Sequence, residues 1–421
     1  MRRPKILTTI HDYSWSLFKS DIVAGLTVAM VAIPLSIAIA IASGADPAKG
    51  LVTAIIGGFF ISLFGGSRVQ IGGPTGAFIV VVFGVIAEHG YDGLVIATFM
   101  AGIILLIGGY LRMGRMIQHV PEAVVNGFTI GIGIIIATSQ LKDFFGLSLD
   151  NVPAEFVHKL TALWSVHDTI NLPALLVGVS TILLIIVFRR AAPKLPGLIV
   201  AVGIGSAVVA LADLPVDTIG SRFGALPDQL PLPAVPPITL DRVSELLPSA
   251  LVIAFLAGVE SLLSAMVADR MIQGQHRPNA ELLAQGAANV ASSLFGGMPA
   301  TGAIARTATN VSAGGKTPVA GIVHAIAILI AMMLFATAAG YLAMPALAGL
   351  LLITAWRMSE PHKWREYMAA PMRDRLLLLV TLVLTVLVDL TVAIGVGVSI
   401  GLALRLREQK PPPSDWHVPD R

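Results

Sequence analysis

Fourteen apolar runs fill most of this chain, each about as long as a membrane helix or clearly shorter. They lie at roughly 21–43, 48–66, 74–87, 92–111, 121–139, 172–188, 196–212, 246–267, 280–296, 301–313, 318–338, 341–356, 375–389 and 391–405. Such a pattern is expected to fold in lipid. Charged residues are 13% of the sequence, against about 25% in a soluble domain, and mean hydropathy is +0.83. At about 20 residues per span, fourteen helices use roughly 280 residues. The rest suffices for short loops and no large soluble domain. An ordinary soluble enzyme and a disordered chain are both excluded. The last two runs meet at Asp389 and need a tight hairpin, and twelve spans is the next-best count.

Charge placement tests the count. With the N-terminus inside and the runs alternating, the inside segments hold 22 of the 28 Lys and Arg. The outside segments hold five: Lys49, Lys142, Lys159, Arg222 and Arg242. That bias follows the positive-inside rule and supports fourteen spans with both termini cytoplasmic. The net charge of +3 then reflects basic inner loops, and no nucleic-acid partner is expected. Residues 1–20 are polar and basic and read as a cytoplasmic N-terminus without a cleavable signal. Cysteine is absent, which removes disulfides and thiolate chemistry. The nine His show no metal-ligand spacing, so neither metal nor cofactor is expected. Gly314–Gly315–Lys316–Thr317 lacks the leading Gly of a P-loop.

An internal repeat organises the chain. Ser62–Leu63–Phe64–Gly65–Gly66 recurs as Ser293–Leu294–Phe295–Gly296–Gly297. Each copy is soon followed by a Pro and a Thr-Gly-Ala, Pro74–Thr75–Gly76–Ala77 and Pro299–Ala300–Thr301–Gly302–Ala303. The copies fall at the second and third runs of one half and the ninth and tenth of the other. Seven spans is an odd number, so the halves insert with opposite orientation, an arrangement used by transporters. The expected fold is therefore an all-α polytopic membrane protein of 14 segments in a 7+7 inverted repeat. Residues 21–212 form the first repeat and 246–407 the second. A Pro-rich outside connection at 213–245 joins them, and 408–421 is a cytoplasmic tail.

Pro lacks an N–H and Gly weakens a helix. Each repeated element thus predicts a half-helix starting inside the membrane after a short extended segment, Ser67 to Ile71 in one half and Met298 to Ala300 in the other. Two helix starts facing one another offer free N–H groups and partial positive charge to an anion. Thr75 and Thr301 stand where an N-cap hydroxyl belongs. Arg306, about a turn and a half into the tenth run, suits an oxyanion through its planar fork. It could instead snorkel toward the inner surface. Glu260 is the one carboxylate well inside a run, with Ser264 one turn on along the same face. The pair suits a coupling ion, H+ or Na+, and Glu260 could equally be a partner of Arg306. His324 reads as a hydrogen-bonded packing residue, and Glu122, Asp269 and Glu281 as helix-end residues.

The chain resembles the SulP family of anion transporters, the sulfate-permease group, from about Asp21 to Arg407. The resemblance is carried by AGLTVAMVAIPLSIAIAIASG at 24–44, GGPTGAFIVVV at 72–82 and GGMPATGAIARTATNVSAGGKT at 296–317. It implies a carrying core of spans 1–4 and 8–11 and a gate of spans 5–7 and 12–14. It also implies an anion site between the third and tenth helix starts. Residue by residue, that site comprises Pro74, Thr75, Gly76 and Ala77, with Thr301, Gly302, Ala303, Ile304, Ala305 and Arg306. Leu35 stands where many members have Gln, and Ala305 where many have Ser. Many members continue into a STAS domain, and this sequence is expected to be a membrane domain without one.

The expected activity is secondary-active transport, not catalysis. The substrate class is a small inorganic or carboxylate anion: sulfate, bicarbonate, a dicarboxylate, a halide or nitrate. Two rivals are a nucleobase transporter of the same architecture, which would want no Arg306, and a passive anion channel. Expected partners are the anion, H+ or Na+ and the lipid bilayer, with homodimerisation open. The expected location is a bacterial inner membrane.

Overall fold

The computed structural model describes residues 3–11, 13–114, 122–149, 152–153, 155–192, 196–388, 392, 396–397 and 399–400. Thirteen main helices carry the fold. They are α1 Trp15–Ala42, α2 Pro47–Phe64, α3 Ile79–Tyr110, α4 Glu122–Phe145, α5 Phe156–Ser165, α6 Leu172–Ala191 and α7 Gly197–Leu211. After the connection come α8 Leu240–Ile272, α9 Pro278–Leu294, α10 Ile304–Ser312, α11 Val319–Ala339, α12 Met344–Met358 and α13 Met372–Leu387. Two short strands, β1 Gly72–Gly73 and β2 Thr301–Gly302, sit among them.

Helix starts follow local chemistry. Ser14 caps α1, Asp46 caps α2 with Pro47 at the first position, Asn171 caps α6 and Thr239 caps α8. The expected third and fourth runs stand as two helical stretches that meet at Gly90 within α3. Gly90 breaks it, with φ 71° and ψ 177°, a backbone state that a side chain disfavours. α1 begins at Trp15, inside the expected N-terminal segment 1–20. The connection at 213–245 is likewise not all irregular. It holds a five-residue helix, Ile219–Phe223, and the first turn of α8, whereas the Pro-rich 226–237 stays free of regular structure as its missing donors dictate. The fourteenth run and the tail lie largely outside the described residues.

Among the described residues, seven helices are long and apolar enough to cross a membrane, namely α1, α2, α3 with its preceding turn, α4, α6, α8 and α11. Their outward faces are apolar: Leu176 is 60% exposed, Leu183 56% and Leu334 70%. Packing falls into two groups. In one, α9 lies along α3, α8 along α3, and α11 against α1 and α2. Backbones touch between α3 and α9, where a Cβ on Gly102 would lie 2.7 Å from Val290 N. In the other, α4 packs on α12 and α13, and α6 on α7 and α12. Contacts of α12 and α7 with α1 join the two groups.

Candidate functional site

The two repeated elements meet in the middle of the bundle. β1 and β2 pair antiparallel, Gly72 opposite Gly302 and Gly73 opposite Thr301, and Ala303 N donates to Ile71 O at 2.8 Å. Non-helical backbone inside a membrane must find partners in the protein, and polar side chains provide them here. Asn289 brackets Ala300, donating to its carbonyl at 2.8 Å and accepting from its N–H at 2.9 Å. Met298 N donates to Thr53 Oγ1, and Ser292 Oγ donates to Met298 O. On the other arm, Ile71 N donates to Thr307 Oγ1 at 3.1 Å and Asn310 Nδ2 to Val69 O at 2.8 Å. The segment before β1 is not extended from Ser67 as read. It bends through 66–69 and straightens at Gln70, because Gly66 N and Ser67 N both turn onto one carboxylate oxygen of Glu281.

A single 3-10 turn, Gly76–Phe78, opens α3, and α10 begins at Ile304. The N–H groups of Gly76 and Ala77, and those of Ile304, Ala305 and Arg306, precede the first intrahelical acceptors. They have no other partner among the described residues. Pro74, Thr75, Gly76 and Ala77 are buried, as are Thr301, Gly302 and Ala303. Ile304 and Ala305 are exposed, so the start of α10 is open where the start of α3 is covered.

The side chains depart from several expectations. Neither Thr is a cap. Thr301 Oγ1 donates to Ala257 O at 2.9 Å, while Thr75 Oγ1 donates to Glu260 Oε2 at 2.8 Å. Arg306 does not snorkel. It is 1% exposed, and its Nη2 donates to Ser36 Oγ at 3.1 Å and to Pro74 O at 3.0 Å. Nε and Nη1 have no partner. Gly73 makes room for this, since a Cβ there would lie 2.3 Å from Nη1, and its φ of 149° suits glycine alone. Among the described residues no ion pair within 4 Å joins Glu260 to Arg306, although the two charges interact at longer range. The recorded hydrogen bond of Glu260 is to Thr75, from the facing half-helix. Ser264 Oγ lies 3.4 Å from Thr307 Oγ1. A Cβ on Gly302 would strike Gln70 Nε2 at 1.6 Å. His324 is buried without the expected hydrogen bond.

Two buried carboxylates escaped the sequence reading. Glu281 is fully buried, and besides Gly66 and Ser67 it accepts from Ser261 Oγ at 3.0 Å and Gln285 Nε2 at 2.9 Å. Ser261 also takes Gln70 Nε2 at 2.8 Å, which ties the network to the start of β1. Asp21, also fully buried, accepts from Lys316 N at 2.9 Å, Thr317 N at 3.2 Å and Tyr13 Oη at 3.1 Å, fixing the Gly-Gly-Lys-Thr turn beyond α10. The sequence marks Glu281 only as a helix-end residue and Asp21 only as the start of the first apolar run. Glu281→Ala strands four buried donors and is expected to cost about 2–4 kcal/mol, read as a lower melting temperature in detergent. An unchanged melting temperature would show that the network does not hold this segment.

The chain matches the sulfate permease family over residues 18–381. It is 44% identical over 371 residues to YvdB of Bacillus subtilis, covering 88% of this chain and 70% of that one. It is 31% identical over 342 residues to the bicarbonate transporter BicA of Picosynechococcus, covering 79% of this chain and 60% of that one. Its fold superimposes on the transmembrane domain of a cyanobacterial bicarbonate transporter BicA with a TM-score of 0.82 and 29% identity, covering 91% of this chain and 99% of that one. The chain is an integral membrane protein that belongs to the sulfate permease family, a family of transporters and not of enzymes.

Proposed function

We propose that this chain is a secondary-active transporter of a small anion, bound between the start of α3 and the start of α10. One observation carries the reading. A buried guanidinium with two unpaired N–H-bearing nitrogens stands beside two helix starts whose N–H groups also lack partners. Convergent donors without a carboxylate among them suit an anion. Pro74 to Ala77 and Thr301 to Arg306 form the site, with Thr301 and Gly302 holding its backbone. Glu260, hydrogen-bonded to Thr75 at the edge of the site, takes the coupling ion, H+ or Na+. The family name and the bicarbonate-transporting relative support sulfate, bicarbonate or a similar oxyanion as substrate.

The finer architecture belongs to the same proposal. Fourteen spans form a 7+7 inverted repeat. Support comes from the repeated pentapeptides, which end α2 and α9 alike, and from the antiparallel meeting of β1 with β2. The two packing groups of helices support a carrying core and a gate. Both termini are cytoplasmic and the membrane is a bacterial inner one.

The test is uptake into proteoliposomes of labelled sulfate, bicarbonate, a dicarboxylate, chloride and nitrate, with and without pH and Na+ gradients. Saturable uptake of one anion that rises with a gradient is expected. Linear, unsaturating flux would make the protein a passive channel.

A further inference from the structure

Three side chains buried behind the strand crossing carry polar atoms without a partner among the described residues. These atoms are both ring nitrogens of His324 on α11, Nε and Nη1 of Arg306 on α10, and Oγ of Ser62 on α2. Their residues are 0%, 1% and 3% exposed, so surface water does not serve them. They line up on one face of α2, where Ala54, Gly58 and Ser62 recur at four-residue spacing. A Cβ on Gly73 would lie 2.3 Å from Arg306 Nη1 and 3.5 Å from Ala54 Cα. A Cβ on Gly58 would lie 3.5 Å from His324 Cε1, 3.6 Å from its Nδ1 and 3.1 Å from Gly72 O. A Cβ on Gly321, three residues before His324, would lie 2.0 Å from Ser62 Oγ. Guanidinium, imidazole and hydroxyl therefore border α2 beside residues one turn apart, about 6 Å along its axis, and no direct hydrogen bond serves their unpaired atoms. One water bridges two such groups through two bonds of about 2.8 Å each.

The chemistry is complementary as well. Arg306 offers only donors, a neutral imidazole offers one donor and one acceptor, and the Ser62 hydroxyl serves as either. Water accepts from the guanidinium and donates to the ring. Buried polar groups without a protein partner are commonly satisfied in this way.

We infer that the seam between α2, α10 and α11 binds ordered water, and that His324 acts through this water as a positioning residue for the Arg306 guanidinium. Ser36 and Pro74 O hold one edge of that group. The water takes one of the two N–H bonds of Nη1 and leaves the other and Nε–H to the anion, so the fork keeps one orientation at the helix starts. The positioning role rests on the proposed anion site, whereas the water site does not.

Radiolytic hydroxyl labelling of the wild-type protein in heavy-oxygen water reads the water directly and needs no transport. His324 is expected to be labelled well above equally buried side chains such as Phe78. Labelling no stronger than there overturns the water site. His324→Leu removes the acceptor, and KM for anion uptake is expected to rise about three- to tenfold. His324→Asn returns an acceptor close to Nδ1 and is expected to recover most of that loss. Wild-type KM in His324→Leu, or equal loss in both variants, overturns the positioning role. If the wild-type protein takes up no anion, the transport reading fails and the labelling still decides the water site.

Discussion

Arg306→Ala is expected to weaken anion binding by about thirtyfold while leaving a folded, monodisperse protein in detergent. A hydrogen bond to a charged group contributes about 1.5–3 kcal/mol, which corresponds to about a ten- to 150-fold change in affinity. The guanidinium is well placed to make such bonds, being buried, free at Nε and Nη1, and in no ion pair among the described residues. Its removal spares the crossing. The β1–β2 pairing, the bond from Ala303 N to Ile71 O and the Asn289 bracket on Ala300 do not involve it. Loss of the bonds to Ser36 and Pro74 O loosens the site without unthreading the strands. Arg306→Lys keeps the charge and loses the planar fork, so it is expected to fall between the two. Titration calorimetry on purified protein, with uptake kinetics beside it, measures the effect. Wild-type affinity in Arg306→Ala would place the anion elsewhere.

What could be read before the structure was the part written in periodicity and repeats. Gly-Gly-Pro and Gly-Met-Pro ahead of two short apolar runs state a helix that cannot start earlier. The matched Thr-Gly-Ala identifies the two starts as a pair, and they pair backbone to backbone. Side-chain roles were a different matter. Thr75 and Thr301 occupy the same place in the repeat yet bond differently. One faces Glu260 across the crossing, and the other is tied to the carbonyl of Ala257 on α8. Glu281 looks like any acidic residue in a first helical turn, because its four donors come from residues 66, 67, 261 and 285. Asp21 reaches nearly 300 residues along the chain to Lys316 and Thr317. Contacts at such sequence separations leave no trace in local pattern. The close approach of Gln70 to Gly302 is likewise invisible in the motif.

Glu260→Gln is expected to abolish gradient-driven accumulation while leaving anion exchange intact. The substitution is nearly isosteric, and the amide oxygen at 260 can still accept from Thr75 Oγ1, so the link between α8 and the start of α3 is preserved. What disappears is the ability to bind a cation. In the wild-type protein, an anion arriving between the helix starts repels a bare carboxylate at the edge of the site, so it binds better once Glu260 holds a proton or Na+. By linkage the ion binds better once the anion is present, by the same factor. Two ligands that favour one another cross together, and an inward gradient of one accumulates the other. In Glu260→Gln the position is permanently neutral, so anion binding no longer responds to either ion. The measurement is uptake against an imposed pH gradient with Na+ absent, repeated with a Na+ gradient at constant pH. The wild-type protein is expected to accumulate anion in one of the two, which also identifies the ion. The variant is expected to equilibrate in both and to retain counterflow of labelled against unlabelled anion. Accumulation by the variant under the gradient that drives the wild type would reduce Glu260 to a structural partner of Thr75.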